Sequence, residues 1–361
     1  MLYELLYPLR EHFFVFNVFK YITFRAAYAT VSAFLVAFVL GPWMIGKLRE
    51  WGAVKRVREE GPESHQGKTG TPTMGGILIL GAIILPTLLW ADLSSRQVRI
   101  ALLVTLWLGA IGFLDDYLQV VRRQPKGLIG RAKMAGQITL GLLVGAILVL
   151  TPERADVTTQ TTIPFIKDRI IDLGWFYIPF IVLVITGSSN AVNLTDGLDG
   201  LAIGLVAFAA MAFAGLAYVS GHSRFSGYLQ ILYLPGSGEL TVFCGAILGA
   251  ALGFLWYNAH PADVFMGDTG SLALGGALGI VAILVKMEFI LAIVGGVFVA
   301  EALSVILQVG SFRTTGRRIF KMAPLHHHFE LMGWPETKVV VRFWIVAGLL
   351  ALLSLSTLKL R

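Results

Sequence analysis

The sequence predicts an all-α, polytopic integral membrane protein. Of its 361 residues, 56% are hydrophobic and only 14% are charged, against about 25% charged in a typical soluble domain. Mean hydropathy is +0.75. The apolar residues gather into ten stretches, and a spanning helix needs about 20 residues. Ten spans would use roughly 200 residues at that length, which leaves enough chain for connecting loops but not for a large soluble domain. A soluble enzyme, a disordered chain and a disulfide scaffold are excluded. The single cysteine, Cys244, lies inside an apolar run and has no intramolecular partner.

The elements follow in order. Leu2, Leu5, Leu6, Leu9, Phe13 and Phe16 recur at helical spacing, so residues 1–21 are expected to form an interfacial helix. Glu4 and the absence of a basic leader argue against a cleavable signal peptide. Spans are expected near 22–46, 74–91, 98–114, 133–150, 174–189, 201–219, 240–257, 270–285, 288–308 and 340–358. The run 174–189 is short, and 288–308 carries Glu301. Between spans, Val157–Phe165 is rich in β-branched residues, which predicts a short external hairpin within 151–173.

Ten spans place both termini on one side. The loops 47–73, 115–132, 190–200, 258–269 and 309–339 hold 15 of the 29 Lys and Arg residues, whereas the opposite set, tails included, holds ten. The positive-inside rule then puts the first set in the cytoplasm and both termini outside. The net charge of +7 reads first as this topology and second as attraction for anionic ligands. Membrane lipid is an expected partner and nucleic acid is not. The whole chain, 1–361, is read as one transmembrane catalytic domain.

Nearly all unusual polar clusters fall in the five cytoplasmic loops. The first, Gly67–Gly76, contains Lys68 and Thr73. Glycine-rich backbone can cradle phosphate, although five residues between Gly61 and Gly67 exclude a Walker A spacing. The plainer alternative is a juxtamembrane loop whose Lys68 meets lipid headgroups. The second, Phe113–Tyr117, sets Asp115 beside Asp116 at the end of an apolar span. Charge inside the bilayer costs about 2.5–3.5 kcal/mol per residue, and adjacent carboxylates resist joint ionisation unless a cation is near. Lys126, Arg131 and Lys133 follow, suited to phosphate or anionic lipid.

In the third cluster, Asn190, Asn193, Asp196 and Asp199 repeat every three residues. On a helix or 3₁₀ turn that spacing brings neighbours onto one face, a ladder of oxygen ligands and amide donors. The alternative is a pair of capping turns. The fourth, Asn258–Ser271, includes Phe265 and places Asp268 just before the next apolar run. There Asp268 could cap a helix whose N-terminus also suits an anion. The fifth is His326, His327 and His328, within Pro324–Glu330. Without nearby cysteines zinc is disfavoured, and donors to a phosphate or nucleotide fit the surroundings better.

Asp115, Asp116 and Asp268 together offer the oxygen ligands Mg²⁺ prefers. Lys68, Lys133 and the histidines would balance phosphate charge. The combination suits phosphoryl transfer, in which positioning and electrostatics dominate, between one water-soluble and one lipid substrate.

Phe113–Tyr117, Asn190–Gly200 and Asn258–Ser271 resemble the polyprenyl-phosphate N-acetylhexosamine-1-phosphate transferase superfamily. Gly67–Gly76 and Pro324–Glu330 narrow the resemblance to its phospho-N-acetylmuramoyl-pentapeptide transferase branch. It covers essentially the whole chain, with five motifs in order. The resemblance implies ten transmembrane helices, a cytoplasm-facing cleft, a bacterial inner-membrane location and an Mg²⁺ cofactor. The implied reaction joins UDP-N-acetylmuramoyl-pentapeptide to undecaprenyl phosphate, giving lipid I and UMP. By motif position it implies catalytic Asp115, Asp116, Asp268 and His327. Metal ligands would come from Asp268, Asp115, Asp116 and Asn193. Substrate contacts are expected at Lys68, Thr73, Lys126, Lys133, Asn190, Asn193, Asp196, Asp199, Asn258, Phe265, Ser271, His326 and His328.

The family also implies a broken ninth span, consistent with Glu301 and Gln308 inside it, and homodimerisation. Gly245, Gly249 and Gly253 could pack helices without defining a dimer face. The expected mechanism is one-step displacement. Asp115 orients or deprotonates the lipid phosphate, Asp268 binds Mg²⁺, and Asp116 assists through the metal's surroundings or by positioning Lys133. The rival is a covalent phospho-aspartate. Two other functions compete: a sister enzyme transferring GlcNAc-1-phosphate, and a secondary transporter, whose charges would sit near the bilayer midplane.

Overall fold

A computed structural model describes residues 1–54, 70–124, 127–166 and 170–358. Helices dominate: α1 (Leu2–Leu6), α2 (Ile22–Glu50), α3 (Gly76–Trp90), α4 (Arg96–Val120), α5 (Gly130–Leu150), α6 (Tyr177–Thr195), α7 (Leu201–Gly221) and α8 (Ser223–Leu229). The series continues with α9 (Leu240–Asn258), α10 (Gly267–Leu284), α11 (Glu288–Val294), α12 (Gly296–Thr315), α13 (Leu325–Glu330) and α14 (Glu336–Ser356). Among the described residues nine helices are long and apolar enough to cross a membrane. The tenth expected span, α3, has only 15 residues, because the chain before it runs into the protein and starts the helix at a buried glycine.

The outward faces agree with lipid as solvent. Val39, Leu183, Ile306 and Leu352 of α2, α6, α12 and α14 are 64–65% exposed, an apolar exterior that water would not tolerate over such an area. The interior centres on α10. Its Gly- and Ala-rich sequence is buried along nearly its whole length and packs on α4, α6 and α3.

The expected hairpin is present. β1 (Gln160–Thr162) pairs antiparallel with β2 (Ile170–Asp172), Thr161 opposite Ile171. The expected break in the ninth span is also present, but it falls at Gly295–Gly296, between α11 and α12. Glu301 and Gln308 lie beyond it, inside α12. Glycine's lack of side-chain restraint suits the site of the break.

Two expectations need correction. Residues 1–21 form α1 and two 3₁₀ segments, Tyr7–Glu11 and Phe14–Lys20, not one helix. Pro8 supplies no N–H and clashes with a continuing α-helix. Secondly, the loop expected from residue 115 starts later, because α4 runs through Asp115 and Asp116 to Val120. The expected helix packing by Gly245, Gly249 and Gly253 is present, and their partner is α2 of the same chain. A Cβ on Gly249 would lie 2.0 Å from Thr30 O of α2, and one on Gly253 would lie 2.8 Å from Phe34 O. Small residues allow this close backbone approach.

Candidate active site

The site is built at one end of the helices. Its segments come from the C-terminal part of α4, the starts of α5 and α10, the end of α6 and the chain leading into α3. Gly75 N–H donates to Phe265 O at 2.9 Å, and Phe265 N–H to Pro72 O at 2.8 Å, so the first and fourth motifs are laced together. Glycine is required where backbones meet. A Cβ on Gly112 would stand 2.2 Å from Asp268 O, and one on Gly76 would stand 2.1 Å from Gly270 N.

The two adjacent aspartates separate. Asp116 is buried, and its carboxylate receives the first turn of α10: Asp268 N–H at 3.1 Å, Thr269 N–H at 2.9 Å and the Thr269 hydroxyl at 2.6 Å. A helix N-terminus leaves N–H groups without partners, and its dipole favours an anion there. Asp116 therefore caps α10 from another helix. Asp268, expected as the cap, is the second residue of α10, inside its first turn.

Asp268 points instead to Lys133. The ammonium of Lys133 lies 2.6 Å from Asp268 Oδ2 and 3.1 Å from Asp115 Oδ2. Asp268 Oδ1 accepts the Asn193 amide at 3.0 Å, and that amide also donates to Ser271 Oγ at 2.8 Å. Asp115 is further held by Leu128 N–H at 2.6 Å and Gln119 Nε2 at 2.7 Å. Lys133 is positioned by Asp115 and Asp268, not by Asp116.

The other candidates are distributed around this centre. The expected ladder divides. Asn190 donates to Gln137 Oε1 at 2.8 Å, Asn193 joins Asp268, and Asp196 is the half-buried C-cap residue of α6. Asp199 is buried and faces away, toward His260 Nδ1 at 3.2 Å and Ala262 N–H at 3.1 Å. The ladder's regular spacing fails because α6 ends at Thr195 and Gly200 turns the chain with a positive φ of 76°. Asn258 is a buried clamp between Gly200 N–H at 3.1 Å and Val264 O at 2.8 Å. Thr73 is buried, its N–H bound to Ala53 O at 2.7 Å. Phe265 is half-buried and contributes the backbone bonds given above. Lys68 and Lys126 lie outside the described residues.

The histidines occupy α13 and have unlike surroundings. His326 is fully buried, with Nδ1 3.3 Å from Glu301 Oε2 and its backbone N–H 3.2 Å from Glu301 Oε1. Its ring closes on Gly197, where a Cβ would lie 2.2 Å from Nε2. His327 Nδ1 pairs with Glu330 at 2.9 Å, and His328 Nδ1 accepts Lys321 N–H at 3.1 Å.

Sequence reasoning missed Thr269, Gln137, His260, Glu301 and Glu336. Glu301 carried a signal, an acid inside an apolar run. His260 lay in a quoted motif without a role.

Two sets of donors can hold a divalent cation. Asp115, Asp268 and the Asn193 amide oxygen are hard oxygen donors of the kind Mg²⁺ takes, and an ammonium already bridges the two carboxylates. Asp116 fits less well, since the helix occupies both its oxygens. The second set is Asp199, His260 and Glu336, whose ligand atoms lie within 4.8 Å of one another.

Comparison with known proteins agrees with the geometry. Residues 98–286 match the model for glycosyl transferase family 4, and residues 68–80 match phospho-N-acetylmuramoyl-pentapeptide-transferase signature 1. Over 361 residues, 100% of both chains, the protein is 57% identical to the phospho-N-acetylmuramoyl-pentapeptide-transferase of Citrifermentans bemidjiense. It is 57% identical to that of Geobacter sp. strain M21, again over 100% of both chains. Identity to the Pelobacter propionicus enzyme of the same name is 56% at the same coverage.

Proposed function

The chain belongs to the phospho-N-acetylmuramoyl-pentapeptide-transferase family within glycosyl transferase family 4, and from that premise we propose how its residues divide the work. It is a multi-pass bacterial membrane enzyme of peptidoglycan synthesis. It passes phospho-N-acetylmuramoyl-pentapeptide from a UDP-linked donor to a lipid phosphate, giving lipid I. In our reading the acceptor is undecaprenyl phosphate, the released nucleotide is UMP, and the site faces the cytoplasm from the inner membrane, with both termini outside.

One observation carries the assignment of roles: Lys133 bridges Asp115 and Asp268 at 3.1 and 2.6 Å. Asp115 orients the acceptor phosphate and holds any proton it brings. An acceptor oxygen then bonds to the phosphorus bearing the sugar, the bond from that phosphorus to the UMP oxygen breaks, and its electron pair leaves with UMP. Lys133 offsets phosphate charge in a partly dry site, where fixed charges act strongly. Asp268 and Asp115, with Asn193, would hold Mg²⁺. When bound, that ion would neutralise the diphosphate and stabilise the departing nucleotide. Asp116 is a positioning residue that fixes Asp268 through the first turn of α10. His327 serves the substrate phosphates from α13.

The test uses purified protein with UDP-N-acetylmuramoyl-pentapeptide, polyprenyl phosphate and Mg²⁺, scored for UMP and lipid I. Asp268→Asn is expected to lower kcat by about 100-fold or more and to weaken Mg²⁺ dependence. Full activity with unchanged Mg²⁺ dependence would remove the metal role. Inversion at the transferred phosphorus is expected, and overall retention would favour a phospho-aspartate instead.

A further inference from the structure

The helices that build the site also build a cavity at their other ends. Its volume is about 220 Å³, and it lies where α4 begins, where α5 and α10 end, and beside the segment leading to β1. The 19 steps along α4 from Arg96 to Asp115 rise about 28 Å at 1.5 Å each. The hydrocarbon core is about 30 Å thick. The cavity and the acidic site thus stand at opposite faces of the membrane.

The lining has two parts. Arg96, Arg154, Lys286 and Glu153 line it; Arg154 has Asp156 beside it and Lys286 shares Tyr177 Oη with the buried Glu288, at 2.8 and 2.5 Å. Ile100, Leu148, Leu234 and Ile283 supply its apolar lining. Arg96 donates only to neutral oxygens: Ile147 O at 2.7 Å, Thr151 Oγ1 at 2.6 Å, and Thr151 O. Among the described residues no carboxylate pairs with it. A guanidinium has five N–H donors, so two of Arg96's remain for a ligand. Lys286 is 7% exposed and donates to Thr158 O at 2.5 Å and Tyr177 Oη at 2.8 Å. Arg154 pairs with Asp156, and Glu153 accepts from Gln97 at 3.1 Å.

We propose that this cavity seats the phosphate headgroup of an anionic glycerophospholipid, with its acyl chains running down the apolar side. Cations beside an apolar wall, at the depth where spans end, match such a ligand in both charge and position. A guanidinium binds phosphate oxygens through strong charge-assisted hydrogen bonds. Trp175 and Phe176, just before α6, are 71% and 78% exposed, an aromatic pair of the kind that marks the interface.

Thermal unfolding of the full-length protein in detergent tests this, with dioleoyl phosphatidylglycerol, dioleoyl phosphatidylcholine and inorganic phosphate as separate additions. Phosphatidylglycerol should raise the midpoint saturably, and phosphatidylcholine should not. Arg96→Gln should weaken the phosphatidylglycerol effect about tenfold, the loss of one charge-assisted hydrogen bond. Equal shifts from both lipids, an unchanged titration in Arg96→Gln, or an equal effect of inorganic phosphate would each overturn the proposal. Should Arg96→Gln fail to fold, a phosphatidylglycerol with a photoactivatable headgroup on the unaltered protein decides it. Crosslinks are expected in residues 147–158 and 283–286, and crosslinks confined elsewhere would overturn it.

Discussion

Asp116 accepts three hydrogen bonds from the first turn of α10, so removing it should loosen a helix as well as slow a reaction. Asp116→Ala leaves those buried donors without partners, and each costs about 1–3 kcal/mol. Without any ligand present, its unfolding midpoint in detergent should fall well below that of Asp268→Asn. Equal midpoints would contradict the capping role. The histidines divide in the same way. His327→Ala is expected to lower activity while leaving the midpoint unchanged, and unchanged kinetics would mean a plain loop. His326→Ala removes the buried imidazole beside Glu301 Oε2 and its packing on Gly197 and should lower the midpoint. At this scale the sequence marks the right residue types, because acids and histidines beside apolar runs are conspicuous. It does not rank them. Asp115 and Asp116 are adjacent in sequence, yet one faces Lys133 and the other faces a helix end.

Helix positions were legible to within a few residues, since hydropathy is a local property. The ends were less so. The apolar run in α4 stops at Leu114, but backbone hydrogen bonding continues to Val120 because Asp115 and Asp116 find partners inside the protein. The stripe Gly245, Gly249 and Gly253 shows a close-packing face without naming its partner, which proves to be α2. At the end of the molecule away from the site, Arg25 of α2 meets Glu239 just before α9, at 2.7 and 2.5 Å, and Glu239 also accepts Asp92 N–H at 3.0 Å. One buried ion pair thus ties α2, α9 and the α3–α4 turn. Glu239→Ala leaves a buried guanidinium unpaired and should cost about 3–5 kcal/mol. A midpoint unchanged from the parent protein would show that water replaces the acid.

Over the whole molecule, the arrangement places chemistry at one membrane face and a basic cavity at the other. Orientation rests on the distribution of Lys and Arg and is open to direct labelling, because the native Cys244 is buried. Trp175→Cys should react with an impermeant maleimide added outside whole cells. Thr315→Cys should react only after lysis. The reverse pattern would invert the topology.

By itself the sequence determines that this chain crosses a membrane many times, which segments do so, and which transferase family it resembles. Those properties reside in single residues and short runs: side-chain hydrophobicity, span length and motif order. Only the tertiary structure decides which oxygens share Lys133, that Asp116 caps α10, and that Asp199 leaves its ladder for His260. Lys133 lies 18 residues from Asp115 and 135 from Asp268. Helix packing brings them together, and no local pattern encodes a distance of 2.6 Å between groups so far apart in the chain.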